Sequence, residues 1–242
     1  MLLAIDVGNT KIKFAVFELN TLVEKEIASH LDWKNTLEKI LKKNIKIQNC
    51  IVSSVGKLEK SDFLSFLSEK NVFFISKDIK FPFENKYDTP NTLGIDRLVL
   101  AAGAVLQFPN QNRLIIDAGT CITYDFVDKN NNYFGGAISP GVRLRYESLH
   151  NYTAKLPLLS KENPAKTIGS STSESIHSGV INGISFEIDG FINAVLDKND
   201  KFIIILTGGD SDFLAKRLKN TIFANSNFLL ESLNQIFQYN QK

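Results

Sequence analysis

Apolar and polar positions recur along this chain with two periods, and each period predicts an element. Residues 2–5 (LLAI) form an unbroken apolar run that stops at Asp6, the pattern of a short buried strand. A turn rich in Gly and Asn follows over residues 6–10, and residues 11–18 (KIKFAVFE) then alternate polar and apolar as a second strand. Leu37, Ile40 and Leu41 share one face of a helix predicted over residues 32–44, while Lys39, Lys42, Lys43 and Lys46 mark a solvated surface. Residues 49–55 read as a strand, 57–69 as a helix and 71–76 as a strand. Residues 81–92, with Pro82 and Pro90, read as irregular, and a helix begins near Gly94 and runs through LVLAAGAVLQF.

The second half restarts the first. Residues 109–112 (PNQN) are the strongest linker signal, which divides the chain into an N-terminal half, 1–108, and a C-terminal half, 109–242. LLAIDVGNT at the N-terminus is echoed by LIIDAGT from Leu114: an apolar strand, Asp-x-Gly, a threonine, then an alternating strand. One copy is an ordinary hairpin pattern. Two copies in corresponding places point to two similar domains. Beyond the second copy lie residues 133–139 with Gly135-Gly136, a Pro140-Gly141 turn and a helix from Val142. A loop with Pro157 and Pro164 leads to one long helical pattern over residues 172–196. Gly179, Gly183 and Gly190 inside it each weaken a helix by up to about 1 kcal/mol, so close packing is expected there. A strand over residues 201–206 ends in Thr207-Gly208-Gly209-Asp210, and two short units finish the chain.

Composition narrows the class. At 242 residues, 43 % hydrophobic and 22 % charged, the chain has globular proportions. A net charge of +2 provides no electrostatic case for nucleic acid or a membrane surface. Cys50 and Cys121 are too few for a disulfide framework, the N-terminus lacks a basic leader, and no apolar run approaches a membrane span. A reducing cytoplasm is the expected location.

The Asp6-Val7-Gly8-Asn9-Thr10-Lys11 turn has the parts for holding phosphate. Gly8 admits an oxyanion close to the backbone, Asn9 and Thr10 offer donors, and successive N–H groups form an anion nest. Asp6 repels phosphate unless a divalent cation intervenes, which points to Mg²⁺ held through water. The alternative for the same residues is a hairpin turn with a capping Asp. Asp117-Ala118-Gly119-Thr120 is the partner turn, and two such turns from facing domains suit one polyphosphate. Gly208-Gly209 suits close passage of an adenine or ribose, but by itself reads first as a tight αβ turn. Asp96 and Arg97 stand at the start of a helix, as an acceptor for a hydroxyl proton and a partner for an anion, or as an exposed ion pair. Asp125 reads as an exposed strand residue, His30, His150 and His177 as surface or helix positions, Cys50 as core and Cys121 as a buried strand residue.

With GIDR (residues 94–97), GGAISPG (residues 135–141), both Asp-x-Gly turns and TGGD in this order, the chain resembles type III pantothenate kinases, within the acetate and sugar kinase, heat-shock-protein and actin superfamily. The resemblance runs from Asp6 to Asp210. It implies an α/β protein of two similar ribonuclease H-like domains facing across an ATP cleft, the actin-like ATPase fold. It implies ATP-dependent phosphorylation of pantothenate to 4'-phosphopantothenate, the first step of coenzyme A synthesis. By the same match, Asp6, Val7, Gly8, Asn9, Thr10, Lys11, Ile12, Lys13 and Thr120 bind ATP. Tyr87, Gly94, Ile95, Asp96, Arg97 and Thr172 bind pantothenate, Asp96 being the catalytic proton acceptor and Thr172 reaching across a homodimer interface. Asp117 is the implied ligand of a monovalent cation, K⁺ or NH₄⁺. Arg143 and Arg145 depart from the smaller or apolar residues expected after GGAISPG, either exposed or engaging anions. A non-catalytic relative acting as a transcriptional accessory factor is the alternative, and retention of the acidic and glycine motifs favours the enzyme.

Overall fold

The computed structural model describes residues 1–55, 58–196 and 202–241. Contacts group the chain into two compact units: Met1–Pro109 with Asn131–Tyr133 and Asn227–Lys242, and Asn110–Asn130 with Phe134–Ser226. The break after Pro109 falls at the PNQN segment. The last residues do not follow the 108/109 division read from the sequence, because the C-terminal helix packs on the first unit.

The first unit is built on β1 (Leu2–Val7), buried along its whole length. It pairs antiparallel with β2 (Ile12–Glu18), which pairs antiparallel with β3 (Thr21–Ala28). On its other side β1 is parallel to β4 (Asn49–Ser54), which is parallel to β5 (Asn71–Phe74), giving the order β3-β2-β1-β4-β5. β1 is buried on both faces as well as paired on both edges, which is why LLAI reads as a continuous apolar run. α1 (Trp33–Lys43) and α2 (Lys60–Leu64) lie over one face. Trp33, Leu37, Ile40 and Phe63 join Leu3, Ile5, Phe14 and Cys50 in one core, and Trp33 tilts against Phe63 at 4.8 Å. Lys39, Lys42, Lys43 and Lys46 are exposed as expected. A two-residue strand, β6 (Glu84–Asn85), pairs with Asn132 and Tyr133, and a 3-10 turn over Pro90–Thr92 precedes α3 (Ile95–Gln107).

The second unit repeats the plan. β7 (Asn112–Ala118) pairs antiparallel with β8 (Cys121–Val127), beside which lies β9 (Asn132–Pro140). α4 (Val142–Asn151) and α5 (Thr172–His177) follow; a π-helical turn, Ser178–Asn182, then joins α5 to α6 (Gly183–Val195). β10 (Phe202–Thr207) is parallel to β7, and β11 (Phe223–Ala224) is parallel to β10. The strand order from third to fifth in each unit is therefore the same, 3-2-1-4-5, with the first strand central. α7 (Ser211–Ala215) completes this unit, and α8 (Phe228–Tyr239) belongs to the first, where it packs on α3 and β1. Ile122, Tyr124, Ile181, Ile184, Ile188 and Leu206 are at the centre of the second core.

Several elements differ from their sequence pattern. β3 was not legible: its apolar side is only half covered, and Glu24, Lys25 and Glu26 mask the alternation. The helix expected over 57–69 is the five-residue α2; Lys57 lies outside the described residues, as does Lys201 at the start of the expected strand 201–206. The helix expected over 172–196 is interrupted by the π-helical turn. Close packing at Gly179, Gly183 and Gly190 is overturned: a Cβ at any of the three would meet nothing within 4 Å. Asp125 is not an exposed strand residue but fully buried, because β8 is covered on both faces. Cys121 is the reverse, exposed at the first residue of β8, where the strand has just left its turn.

Candidate active site

In the first unit the site begins with the β1–β2 hairpin. Gly8 N–H donates to Lys11 O at 3.1 Å, closing a turn that leaves Asn9, Thr10 and Lys11 exposed while Val7 and Ile12 anchor it from the core. His30, just beyond β3, hydrogen-bonds through Nε2 to the carbonyl of Gly8 at 2.9 Å, tying down the turn from outside; nothing in the local sequence signals that contact.

Register places Lys13 of β2 and Ser53 of β4 directly beside Asp6 of β1, so the three side chains share one face of the sheet. Asp6 is 4 % exposed, and its carboxylate lies 3.5 Å from the Lys13 ammonium. Burial pushes the Asp6 carboxyl up to about 6; Lys13 pulls it down and the charge of Asp96 pushes it up again.

Asp96 is half-buried in the first turn of α3, where the helix dipole favours a carboxylate, and its Oδ1 accepts the N–H of Arg97 at 2.9 Å. Gly94, the residue before the helix, leaves that carboxylate its space: a Cβ there would come within 2.4 Å of Asp96 Oδ1. Arg97 is buried, and its guanidinium lies over the ring of Tyr87 at 5.7 Å. The structure thus brings together Asp6, Lys13, Asp96, Arg97 and Tyr87. A cavity of about 370 Å³ lies nearby, lined by Phe81, Phe83, Asn85 and Leu98 among others, but Asp6 and Asp96 are not on its wall.

In the second unit, Asp117 ends β7, half-buried, and Thr120 is exposed in the turn that follows. Register aligns Asp117 with Thr123 of β8 and Thr207 of β10. Gly208 has φ +95°, and a Cβ there would fall 2.4 Å from Asp117 Oδ1 and 2.5 Å from the Ala118 carbonyl. TGGD is therefore glycine-bearing because this turn folds directly against the Asp117 turn. Asp210 N–H completes the junction by donating to Ala118 O at 3.0 Å.

A half-buried carboxylate network that motif reading missed supports the same turn. Glu187 of α6 accepts from Tyr124 OH at 2.8 Å, from Ser139 Oγ at 2.6 Å and from the Arg145 guanidinium. Burial opposes the charge of Glu187, but Arg145, Ser139 and Tyr124 together hold its carboxyl below the usual range. Arg145 also donates to Pro140 O at 2.8 Å, and the adjoining Gly141 N–H donates to Thr120 O at 3.0 Å. Arg145 is thus a bracing residue, whereas Arg143 is exposed and paired with Glu147. The only sequence signal was the departure of Arg145 from the apolar pattern. Thr172 is exposed at the start of α5, on the wall of an open pocket of about 710 Å³ with Leu149, Leu156 and Ile176. Among the described residues, no three His, Cys, Asp or Glu side chains gather as a metal centre, and no helix is long and apolar enough to cross a membrane.

The family model described as type III pantothenate kinase matches residues 2–194. A type III pantothenate kinase of Flavobacterium psychrophilum is 63 % identical over 239 residues, covering 99 % of both chains. That of Christiangramia forsetii is 49 % identical, covering 100 % of this chain and 99 % of its own. Among solved structures, a Campylobacter jejuni protein described as a member of the Baf family of transcriptional activators aligns with TM-score 0.67 at 21 % identity, covering 99 % and 98 % of the two chains. A ROK family glucokinase of Streptomyces griseus, solved with glucose and AMPPNP, aligns with TM-score 0.54 at 10 % identity over 97 % and 98 %. At those identities the structural likeness establishes the actin-like ATPase fold.

Proposed function

The chain belongs to the type III pantothenate kinase family and phosphorylates pantothenate with ATP, and we propose how its residues divide that work. The reaction opens coenzyme A biosynthesis. The transcriptional reading is not favoured, since relatives of high identity across the full length are named as kinases.

The observation that carries the assignment of roles is Asp96 at the start of α3, half-buried and electrostatically coupled to Asp6, with Arg97 stacked on Tyr87 beside it. Phosphoryl transfer demands positioning and neutralisation of charge more than covalent chemistry. Asp96 takes the proton of the attacking hydroxyl. Arg97 pairs with the pantothenate carboxylate, Tyr87 fixes the guanidinium plane, and Gly94 and Ile95 shape the approach. The turn from Asp6 to Lys13 cradles the ATP phosphates with its N–H groups and the Asn9 and Thr10 side chains, and Thr120 contacts ATP. Buried Asp6 is suited to a hard cation, and we assign to it, through water, the Mg²⁺ that accompanies ATP. That ion supplies neutralisation of the phosphate charge.

Asp117 holds the monovalent cation, K⁺ or NH₄⁺, in this reading. The protein acts as a cytoplasmic homodimer in which Thr172 completes the partner's pantothenate pocket. An apolar exposure supports the dimer: Phe134 and Ile138 on β9 and Phe186 and Phe191 on α6 are 50 %, 62 %, 58 % and 36 % exposed within one unit. The test is ATP turnover with and without pantothenate, first in K⁺ and then in Na⁺. Pantothenate-dependent turnover in K⁺ that collapses in Na⁺ is expected; ATP hydrolysis indifferent to pantothenate would overturn the reading.

A further inference from the structure

The face that carries Lys13 and Asp6 has a third member, Ser53, whose part in the site is not accounted for by folding. Ser53 is fully buried, and its hydroxyl has no hydrogen-bond partner. Its neighbour Ser54 points to the opposite face and donates to Leu58 O at 3.1 Å, so the strand itself does not prevent such pairing. Ser53 is fixed opposite Asp6 in the β1–β4 ladder, one residue beyond the last β4–β5 pair at Val52. A buried hydroxyl left unpaired costs about 1–3 kcal/mol, which alanine in the same place would avoid. Register gives the face on which the Ser53 side chain lies. Asp6 has Lys13 on one side and Ser53 on the other, and Lys13 already engages the carboxylate. Among the described residues no cation engages Asp6 from the Ser53 side, where the two buried side chains stand next to each other.

We propose that Ser53 is a further positioning residue of the phosphoryl-transfer site, its hydroxyl hydrogen-bonding the water shell of the divalent cation that Asp6 holds. The proposal rests on the assignment of that cation to Asp6. Mg²⁺ parts reluctantly with its waters and so needs oxygen partners one water away as much as direct ligands. A serine hydroxyl, which can both accept from such a water and donate to a phosphate oxygen, has the required chemistry.

The test measures Mn²⁺ affinity by electron paramagnetic resonance in the presence of a non-hydrolysable ATP analogue, alongside thermal unfolding of the unliganded protein. Ser53→Ala is expected to bind Mn²⁺ about three- to tenfold more weakly, the net worth of one ordinary hydrogen bond to a metal-bound water. Its unliganded melting temperature should be unchanged or higher, because the unpaired hydroxyl is gone. Ser54→Ala, which loses a satisfied hydrogen bond on the other face, should show the reverse: lower stability and wild-type Mn²⁺ affinity. Asp6→Asn separates the two readings. If it weakens Mn²⁺ and Ser53→Ala does not, Ser53 has no part in the cation site; if neither does, the assignment to Asp6 falls first. A Ser53→Ala protein that binds Mn²⁺ normally but loses pantothenate affinity also overturns the proposal. Should Ser53→Ala fold poorly, Ser53→Cys keeps the volume with a weak hydrogen-bonding group and is held to the same Mn²⁺ criterion.

Discussion

Two side chains test the residue roles separately. Asp96→Asn keeps the size of the side chain and an oxygen for the Arg97 N–H, but it cannot accept a proton. Turnover should fall about 10²–10⁴-fold with melting temperature and ATP affinity unchanged, the usual weight of a general base; a parallel loss of stability would make Asp96 a cap instead. Asp117→Ala, at the end of β7, should raise the K⁺ concentration for half-activation more than it changes the KM for pantothenate, as a K⁺ titration of both proteins will read. The two cysteines make a contrast. Cys50 is fully buried and desolvation pushes its thiol up to about 12, whereas Cys121 is exposed next to Thr120. Iodoacetamide followed by peptide mapping should find Cys121 modified and Cys50 intact in the folded protein, with ATP slowing the reaction at Cys121.

At the scale of elements, α6 and α4 brace the Asp117–Thr120 turn through Glu187. The native carboxyl of Glu187 is held below its ordinary 4.5 by Arg145, Ser139 and Tyr124 against the cost of burial. A lowered native pKa contributes stability that is complete above the unfolded value and is lost as pH falls through the native one. Glu187→Gln should therefore cost about 1–3 kcal/mol near neutral pH, and the gap from wild type should close below about pH 4.5. Melting curves taken from about pH 8 down through pH 4.5 and below give the check. The same variant should raise the KM for ATP, because the braced segment ends in the Gly141 N–H that holds Thr120 O.

For the whole molecule, the exposed Phe134, Ile138, Phe186 and Phe191 set the expectation of a dimer of twice the 27.1 kDa chain mass in sedimentation equilibrium. Phe186→Lys should shift the mass towards one chain and lower turnover without unfolding either unit. Mixing inactive Asp96→Asn with an inactive Thr172 variant should restore part of the activity after subunit exchange. No recovery after proven exchange would remove Thr172 from the partner's site.

Much of this was written in the linear pattern. The apolar runs before Asp6 and Asp117, the alternating strands after them and the linker at Pro109 mark two copies of one strand order, because a central strand buried on both faces is built mainly of apolar residues. The motif glycines are legible for a similar reason: Gly208 is forced by its positive φ, whatever lies beyond the turn. What the linear order did not hold was everything set by long-range register and packing. β3 has weak alternation because its covered side is shallow, and α8 joins the first unit through contacts more than 100 residues from its partners in β1. Asp125 and Cys121 exchanged their expected environments because burial depends on what covers each face of β8, which no local period records. Ser53 and Glu187 acquire their surroundings only when separate strands and helices meet, so their chemistry belongs to the tertiary structure alone.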